Sequence, residues 1–192
     1  MTRYDEAMLH DIAQAVWFFL PAALANASPI GMAALPVARN WNAPVDFGKT
    51  FRGKPLLGPH KTWRGIITGM VVATIVLWLQ QLAVRHFGWA ASAGRGIPYE
   101  SLPTLLLGPA FGLGALFGDA VKSFFKRQRG TASGDTWIPF DQLDYVIGGV
   151  VFSLPFVTLR FAVYVWIFII WFGFHFAASW FGWKVGLKSQ PI

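Results

Sequence analysis

GALFGDAVKSFFKRQRG, residues 114–130, begins as lipid-facing sequence and ends as a basic surface. Asp119 follows directly on an uncharged run from 101 to 118, with Lys122 and Lys126 one and two turns further on. A carboxylate in that position reads in two ways. An ionisable group at membrane depth is costly, faces protein or a water-filled cavity, and marks function. The same residue also makes an ordinary i,i+3 pair with Lys122, beside cations of the kind that anchor a helix end on the positive side of a bilayer. Wound as a helix at about 100° per residue, the stretch brings Lys122, Ser123 and Lys126 within about 60° of Asp119, so all four share one face. Gly112, Gly114 and Gly118 on the same segment suit close helix packing as readily as clearance for a ligand.

The remainder of the chain agrees that this is the end of a membrane helix. Of 192 residues, 55% are hydrophobic and only 13% are charged, about half the charge of a soluble domain. Mean hydropathy is +0.47. Ten Trp and eighteen Phe suit a protein with aromatic side chains at the membrane interfaces. With no Cys, disulfides, thiolate metal sites and a cysteine nucleophile are excluded. The start, MTRYDEAMLHD, is acidic and lacks the basic region of a signal peptide, so the first apolar segment is expected to stay.

A crossing takes about 20 apolar residues. Five segments qualify: 12–38, 66–84, 101–118, 145–159 and 161–183. The fourth is short unless it begins near Asp141, and a four-span form with 145–159 re-entrant is the alternative. The expected fold is therefore an all-α polytopic membrane protein of about five transmembrane helices, a single domain over residues 1–192. Loop 39–64 carries Arg39, Lys49, Arg52, Lys54, Lys61 and Arg64. Loop 122–140 carries Lys122, Lys126, Arg127 and Arg129, and the tail carries Lys184 and Lys188. The opposite side has only Arg3, Arg85, Arg95 and Arg160. This bias puts both basic loops and the C-terminus in the cytosol and the N-terminus outside.

Two further stretches carry chemistry. In WIPFDQLDYVIGG, residues 137–149, Pro139 sets up a helix start and Asp141 and Asp144 fall on one face. Two carboxylates so spaced hold a hard cation that bridges to phosphates. An acidic first turn also complements the helix dipole, which accounts for Asp141 better than for Asp144, since Asp144 leads straight into the apolar run. Residues 40–65, NWNAPVDFGKTFRGKPLLGPHKTWRG, form a basic loop broken by Gly48, Gly53, Gly58 and Gly65, with Asp46 its only acid. Glycines let backbone N–H groups approach a phosphate, and Lys and Arg supply charge. Attraction to anionic lipid explains the sign of the charge but not the length or regular interruption of the loop. It is not a P-loop, because GxxxxGK[ST] is absent. His10, His60, His86 and His175 show no ligand spacing. His60, in the basic loop, is the one candidate for touching a phosphate, and the other three read as structural.

These residues taken together resemble the membrane CTP:phosphatidate cytidylyltransferases, which pair an S-x-x-K-R stretch with a later D-x-x-D; here these are Ser123, Lys126 and Arg127, then Asp141 and Asp144. The closer resemblance is to the CDP-archaeol synthase family, small five-span relatives from ether-lipid synthesis. Its pattern is an Asn near the end of span one, a Gly-rich loop ending G-x-x-K-T-W-R-G, then GD…KS…KR, then DQLD. The matching residues are Asn40, Gly58, Lys61, Thr62, Trp63, Arg64 and Gly65, then Asp119, Lys122, Ser123, Lys126 and Arg127, then Asp141 and Asp144. The resemblance covers most of residues 36–150. One departure stands out: where D-G-K or D-G-R is expected ahead of L-G-P, this chain has Arg52-Gly53-Lys54, which removes a possible metal ligand.

The resemblance implies transfer of a cytidylyl group from CTP to a lipid phosphate, of the archaeol-phosphate type or phosphatidic acid, with release of pyrophosphate. It implies Mg²⁺ held by Asp119, Asp141 and Asp144, with Lys122 joining them in the catalytic set. Ser123, Lys126 and Arg127 would contact triphosphate or lipid phosphate. Lys54, Lys61 and Arg64 would close over the nucleotide, and Asn40 would bond near the base or metal. The partners are CTP, the lipid phosphate and the bilayer, with no nucleic acid. The enzyme would sit in the cell membrane with its site on the cytosolic side. The rival from another class is a protein that binds or transports anionic lipids without catalysis. A CDP-alcohol transferase would carry a denser aspartate helix, D-G-x-x-A-R…G-x-x-x-D-x-x-x-D, absent here.

Overall fold

The structure is a computed structural model that describes residues 2–34, 40–131 and 135–186; Arg39 and Lys188 lie outside the described residues. Helix α1 spans Arg3–Ala34 and is followed by a two-stranded hairpin, β1 (Thr50–Phe51) and β2 (Lys54–Pro55). Next come α2 (Trp63–His86), a short α3 (Gly88–Ala93), a 3-10 turn at Tyr99–Ser101, α4 (Thr104–Gln128), α5 (Phe140–Ser153) and α6 (Phe161–Lys184). Helices α1, α2, α4 and α6 are long and apolar enough to cross a membrane. The architecture is that of a polytopic helical membrane protein, with a tiny sheet confined to one loop.

Local sequence explains the boundaries. Thr62 caps α2, its Oγ1 accepting from the Gly65 N–H at 3.2 Å, an N-cap of the usual kind. Pro103 and Pro139 stand immediately before α4 and α5, where a missing N–H costs nothing. The apolar run ends at Gly118, but α4 continues to Gln128, so Asp119, Lys122, Ser123 and Lys126 ride on the same rigid helix as the membrane segment. Pro21, Pro29 and Pro109 lie within helices, as membrane helices tolerate when neighbours satisfy the freed carbonyls.

α5 has 14 residues, about 21 Å of helix, short against a hydrocarbon core of about 30 Å. It does begin near Asp141, as its acidic start suggests. The non-helical stretch after it completes the passage. Arg160, next to α6, places Nη1 3.1 Å from Asp11 Oδ1 near the start of α1, whereas Asp144 lies among the residues at the opposite end of the bundle. The chain thus passes through the bundle five times, the fourth time by a short helix and the turn and irregular segment after it. α1 packs against α2, α4, α5 and α6 and supplies Phe18 and Phe19 to a core completed by Phe111, Tyr145, Val146, Ile167 and Trp171. Phe18 meets Phe111 edge to face, 5.2 Å between centroids.

The seam between α4 and α5 is made by glycine. A Cβ at Gly118 would overlap the Asp144 carbonyl, and one at Gly148 would overlap that of Gly114. The two backbones therefore meet in van der Waals contact, as small-residue seams allow. This close approach carries Asp119 and Asp144, one from each helix, to a common point. The opposite end is fixed by Gln81, whose Nε2 donates to the Tyr99 and Leu102 carbonyls at 2.8 and 3.0 Å while its Oε1 accepts from Thr104 Oγ1 at 2.6 Å.

Candidate active site

The last turns of α4 and the first turns of α5 place three carboxylates around one ammonium. Lys122 Nζ lies 2.9 Å from Asp119 Oδ1, 2.9 Å from Asp141 Oδ1 and 2.7 Å from Asp144 Oδ2. Lys61, from the basic loop, donates to the other oxygen of Asp119. Lys126 Nζ stands 3.3 Å from both oxygens of Asp141 and also donates to the Asp135 carbonyl. Asp141 is further held by the Trp137 N–H at 2.6 Å, and Asp144 accepts from the Tyr145 N–H at 2.5 Å. These groups are largely shielded, with 5% of the Asp144 side chain exposed and 14% of that of Lys122.

They line a cavity of about 630 Å³, within the range of small-molecule sites. Its charged lining is Lys61, Asp119, Lys122, Lys126, Asp135, Asp141 and Asp144. Asn26 from α1, Gln142 from α5, and His175 and Ser179 from α6 add uncharged polar groups, and Pro29, Ile30, Ile66 and Leu116 form an apolar wall. A smaller chamber of about 210 Å³ adjoins it, lined by Gly58, His60, Lys61, Lys122, Ser123, Lys126 and Arg127. Among the described residues no acid lines that chamber, so it is suited to an anion.

The basic loop is shaped by Asp46. Its carboxylate accepts from the Gly48 N–H at 3.0 Å, the Leu57 N–H at 2.9 Å and the Gly58 N–H at 3.3 Å. Burial opposes ionisation, but the Leu57, Gly48 and Gly58 N–H groups outweigh it and hold the carboxyl below the usual carboxylate range. The closed loop delivers Gly58, His60 and Lys61 to the cavities. β1 and β2 are joined at Arg52 (φ 51°) and Gly53 (φ 77°), the two left-handed residues of a tight hairpin turn. Asp and Asn are favoured at such a position because they tolerate positive φ. An acid at position 52 therefore suits the turn. Arg52 lines neither cavity, and the missing acid leaves the carboxylate cluster untouched.

Asp119, Lys122, Lys61, Lys126, Asp141, Asp144, Ser123 and Arg127 are thus brought together. Lys54, Arg64 and Asn40 are not. Lys54 Nζ donates to the Gln128 carbonyl at 2.6 Å, tying the hairpin to the end of α4. Arg64 is buried in the first turn of α2 and Asn40 is exposed; neither lines either of these two cavities. Sequence reasoning missed Asn26, Gln142 and Ser179 and took His175 as structural. The signal for Gln142 is positional, since it stands between two site aspartates. It is 2% exposed, and its Oε1 meets no hydrogen-bond partner among the described residues.

No group of three or more His, Asp or Glu among the described residues forms a ready metal cluster. The donor set nevertheless fits a hard divalent cation. Three carboxylates from two rigid helices converge on one cationic atom, and oxygen is what such ions take.

A family model described as CarS-like CDP-archaeol synthase matches residues 8–192. The CDP-archaeol synthase of Thermococcus onnurineus is 35% identical over 185 residues, 95% of this chain and 98% of that protein. That of Pyrococcus horikoshii is 32% identical with the same coverage. That of Halorubrum lacusprofundi is 36% identical over 138 residues, 71% of this chain and 69% of its own. A solved intramembrane enzyme of archaeal membrane lipid biosynthesis matches with a TM-score of 0.65 at 30% identity, covering 86% of this chain and 92% of the other. With its fold, its length and the elements that carry the carboxylate cluster all matched, the chain belongs to the CDP-archaeol synthase family.

Proposed function

We propose that the carboxylate cluster and the cation-lined chamber are the two halves of one cytidylyltransferase site, acting on an ether-linked, archaeol-type lipid phosphate. The protein is a membrane enzyme that makes CDP-lipid from CTP and a lipid phosphate. In the reaction an oxygen of the lipid phosphate bonds to the α-phosphorus of CTP, the bond from that phosphorus to the β-phosphate oxygen breaks, and pyrophosphate leaves. The attacking group is already an anion, so the protein supplies position and charge rather than a nucleophile.

Asp119, Asp141 and Asp144 would hold Mg²⁺. When bound, the ion neutralises phosphate charge and stabilises the departing pyrophosphate. Lys61, Lys122, Lys126 and Arg127 would bind the triphosphate, with the Ser123 hydroxyl and the Gly58 backbone against its oxygens. Lys54 would act indirectly, by holding the hairpin against α4. The site lies at the ends of the membrane helices because the lipid phosphate is tethered at that depth. The excess of Lys and Arg on this side supports a cytosolic orientation. The observation that carries the reading is the convergence of Asp119, Asp141 and Asp144 on one cation beside a chamber without acids.

The test is label transfer from α-³²P-CTP into organic-extractable product, using purified protein, Mg²⁺, and unsaturated archaeol phosphate or phosphatidic acid in parallel. Transfer to the ether lipid at a kcat/KM at least tenfold above that for phosphatidic acid is expected. Equal transfer to both would remove the ether-lipid assignment. Transfer to neither, without CTP binding, would overturn the assignment of the site.

A further inference from the structure

Lys122 stands in the place that the proposed reading gives to the metal. Its ammonium is within 2.9 Å of an oxygen from each of the three carboxylates. With His60, Lys61 and Lys126, it borders both the larger cavity that holds the carboxylates and the adjoining basic chamber. The charges balance around it: Asp119, Asp141 and Asp144 face Lys61, Lys122 and Lys126. A bare divalent cation entering this cluster would add two uncompensated positive charges at the edge of a low-dielectric bilayer, where they are poorly screened. A triphosphate entering the chamber adds negative charge beside Lys122, Ser123 and Arg127. A lysine ammonium is a point charge on a flexible stem, and its neighbours give it an acidic berth on one side and an anion berth on the other.

We infer that Lys122 is a place-holding cation: it occupies the carboxylate cluster until nucleotide phosphate draws it into the adjoining chamber, so that divalent cation and nucleotide enter together. This rests on the metal assignment above and adds an order to it. Lys122 keeps the three carboxylates compensated in the resting protein, which lets a cluster of buried acids persist without metal. It then becomes a phosphate ligand at the moment the carboxylates receive their ion. Neither substrate-free metal binding nor a vacant acidic cluster is needed at any stage.

The experiment measures Mn²⁺ binding to purified protein by paramagnetic resonance, without lipid, for the wild type, Lys122→Met and Lys122→Gln. Lys122→Gln, one atom shorter, retains a hydrogen-bond donor should Lys122→Met fail to fold. Without nucleotide, the substituted proteins are expected to bind Mn²⁺ at least tenfold more tightly than the wild type. Their thermal midpoints should also rise with Mn²⁺ while that of the wild type stays flat. Equal nucleotide-free affinity in wild type and variants overturns the place-holding role and leaves the metal site standing. If no protein binds Mn²⁺ alone, and Mn²⁺ with CTP binds the wild type and Asp144→Asn alike, the metal assignment itself falls and takes this inference with it.

Discussion

Asp119 is held by two lysines from different elements, Lys61 of the loop and Lys122 of its own helix, whereas Asp144 pairs with Lys122. Replacing either by Asn keeps the shape and removes one negative charge, which leaves an ammonium short of a partner and deprives the site of a metal donor. Asp119→Asn and Asp144→Asn are each expected to lower kcat by at least about 100-fold, the scale of losing a charge-stabilising group, while the protein still inserts in the membrane. Near-normal turnover of either would contradict the assignment. Arg95→Ala should change kcat by less than about twofold, because Arg95 sits at the far end, where its carbonyl accepts from Gln14 and its N–H donates to Ser92. The contrast also marks what was legible at this scale. Asp119, Lys122, Ser123 and Lys126 could be read because helix periodicity fixes their common face. Lys54 and Arg64 could not be separated from Lys61 by counting charges, because the path of the loop decides which lysine reaches the cavity. Asn26, Gln142 and Ser179 carry no charge, and in an apolar helix a single amide or hydroxyl looks like an interruption.

At the level of elements, the α4–α5 seam and the basic loop each depend on one small feature. Gly118 admits the backbone of α5 at Asp144, so a methyl group there pushes directly on a site residue. Gly118→Ala is expected to cost about 1–3 kcal/mol, as overpacking does, and to lower activity together with the thermal midpoint. Gly173→Ala, with nothing near its added carbon, should leave both unchanged; parallel effects at the two positions would remove the seam from the account. The loop rests on the ionised Asp46. Its carboxyl titrates below its ordinary value of about 3.9 because of the Leu57, Gly48 and Gly58 N–H bonds. Its stabilisation is therefore fully present above the unfolded value and is lost as pH falls through the lower folded value. Hydrogen exchange should show the Leu57 and Gly58 amides protected at neutral pH, unprotected in Asp46→Ala, and unprotected in the wild type once pH falls below the ordinary carboxylate range. Protection that survives in Asp46→Ala would mean the loop is closed by something else. The glycines of the seam were visible in the sequence, but their partners were not, since spacing along one helix says nothing of which backbone approaches it.

For the whole molecule, topology and sidedness are linked. The apolar segments were legible because a bilayer demands unbroken hydrophobic length, and four of the five became helices long enough to cross. The fourth segment was the hard one. Its apolar run holds Pro155, so α5 stops at Ser153, and a turn followed by irregular chain carries the passage on to Arg160, which clasps Asp11 on the far side. A re-entrant α5 would return Arg160 to the side of Asp144 and could not make that pair. Five passages put the basic loop and the α2–α4 connection on opposite faces. The chain has no cysteine, so single cysteines report position without background. Lys49 and Ser92 are both exposed, one in each connection. In intact cells a membrane-impermeant maleimide is expected to label Ser92→Cys, and to label Lys49→Cys only after the membrane is opened. The opposite pattern would invert the orientation and put CTP on the wrong side of the bilayer for this site. Labelling of both positions in intact cells would break the link between the clasp at Arg160 and the fivefold passage, and with it the reason the carboxylates of α4 and α5 meet at one end.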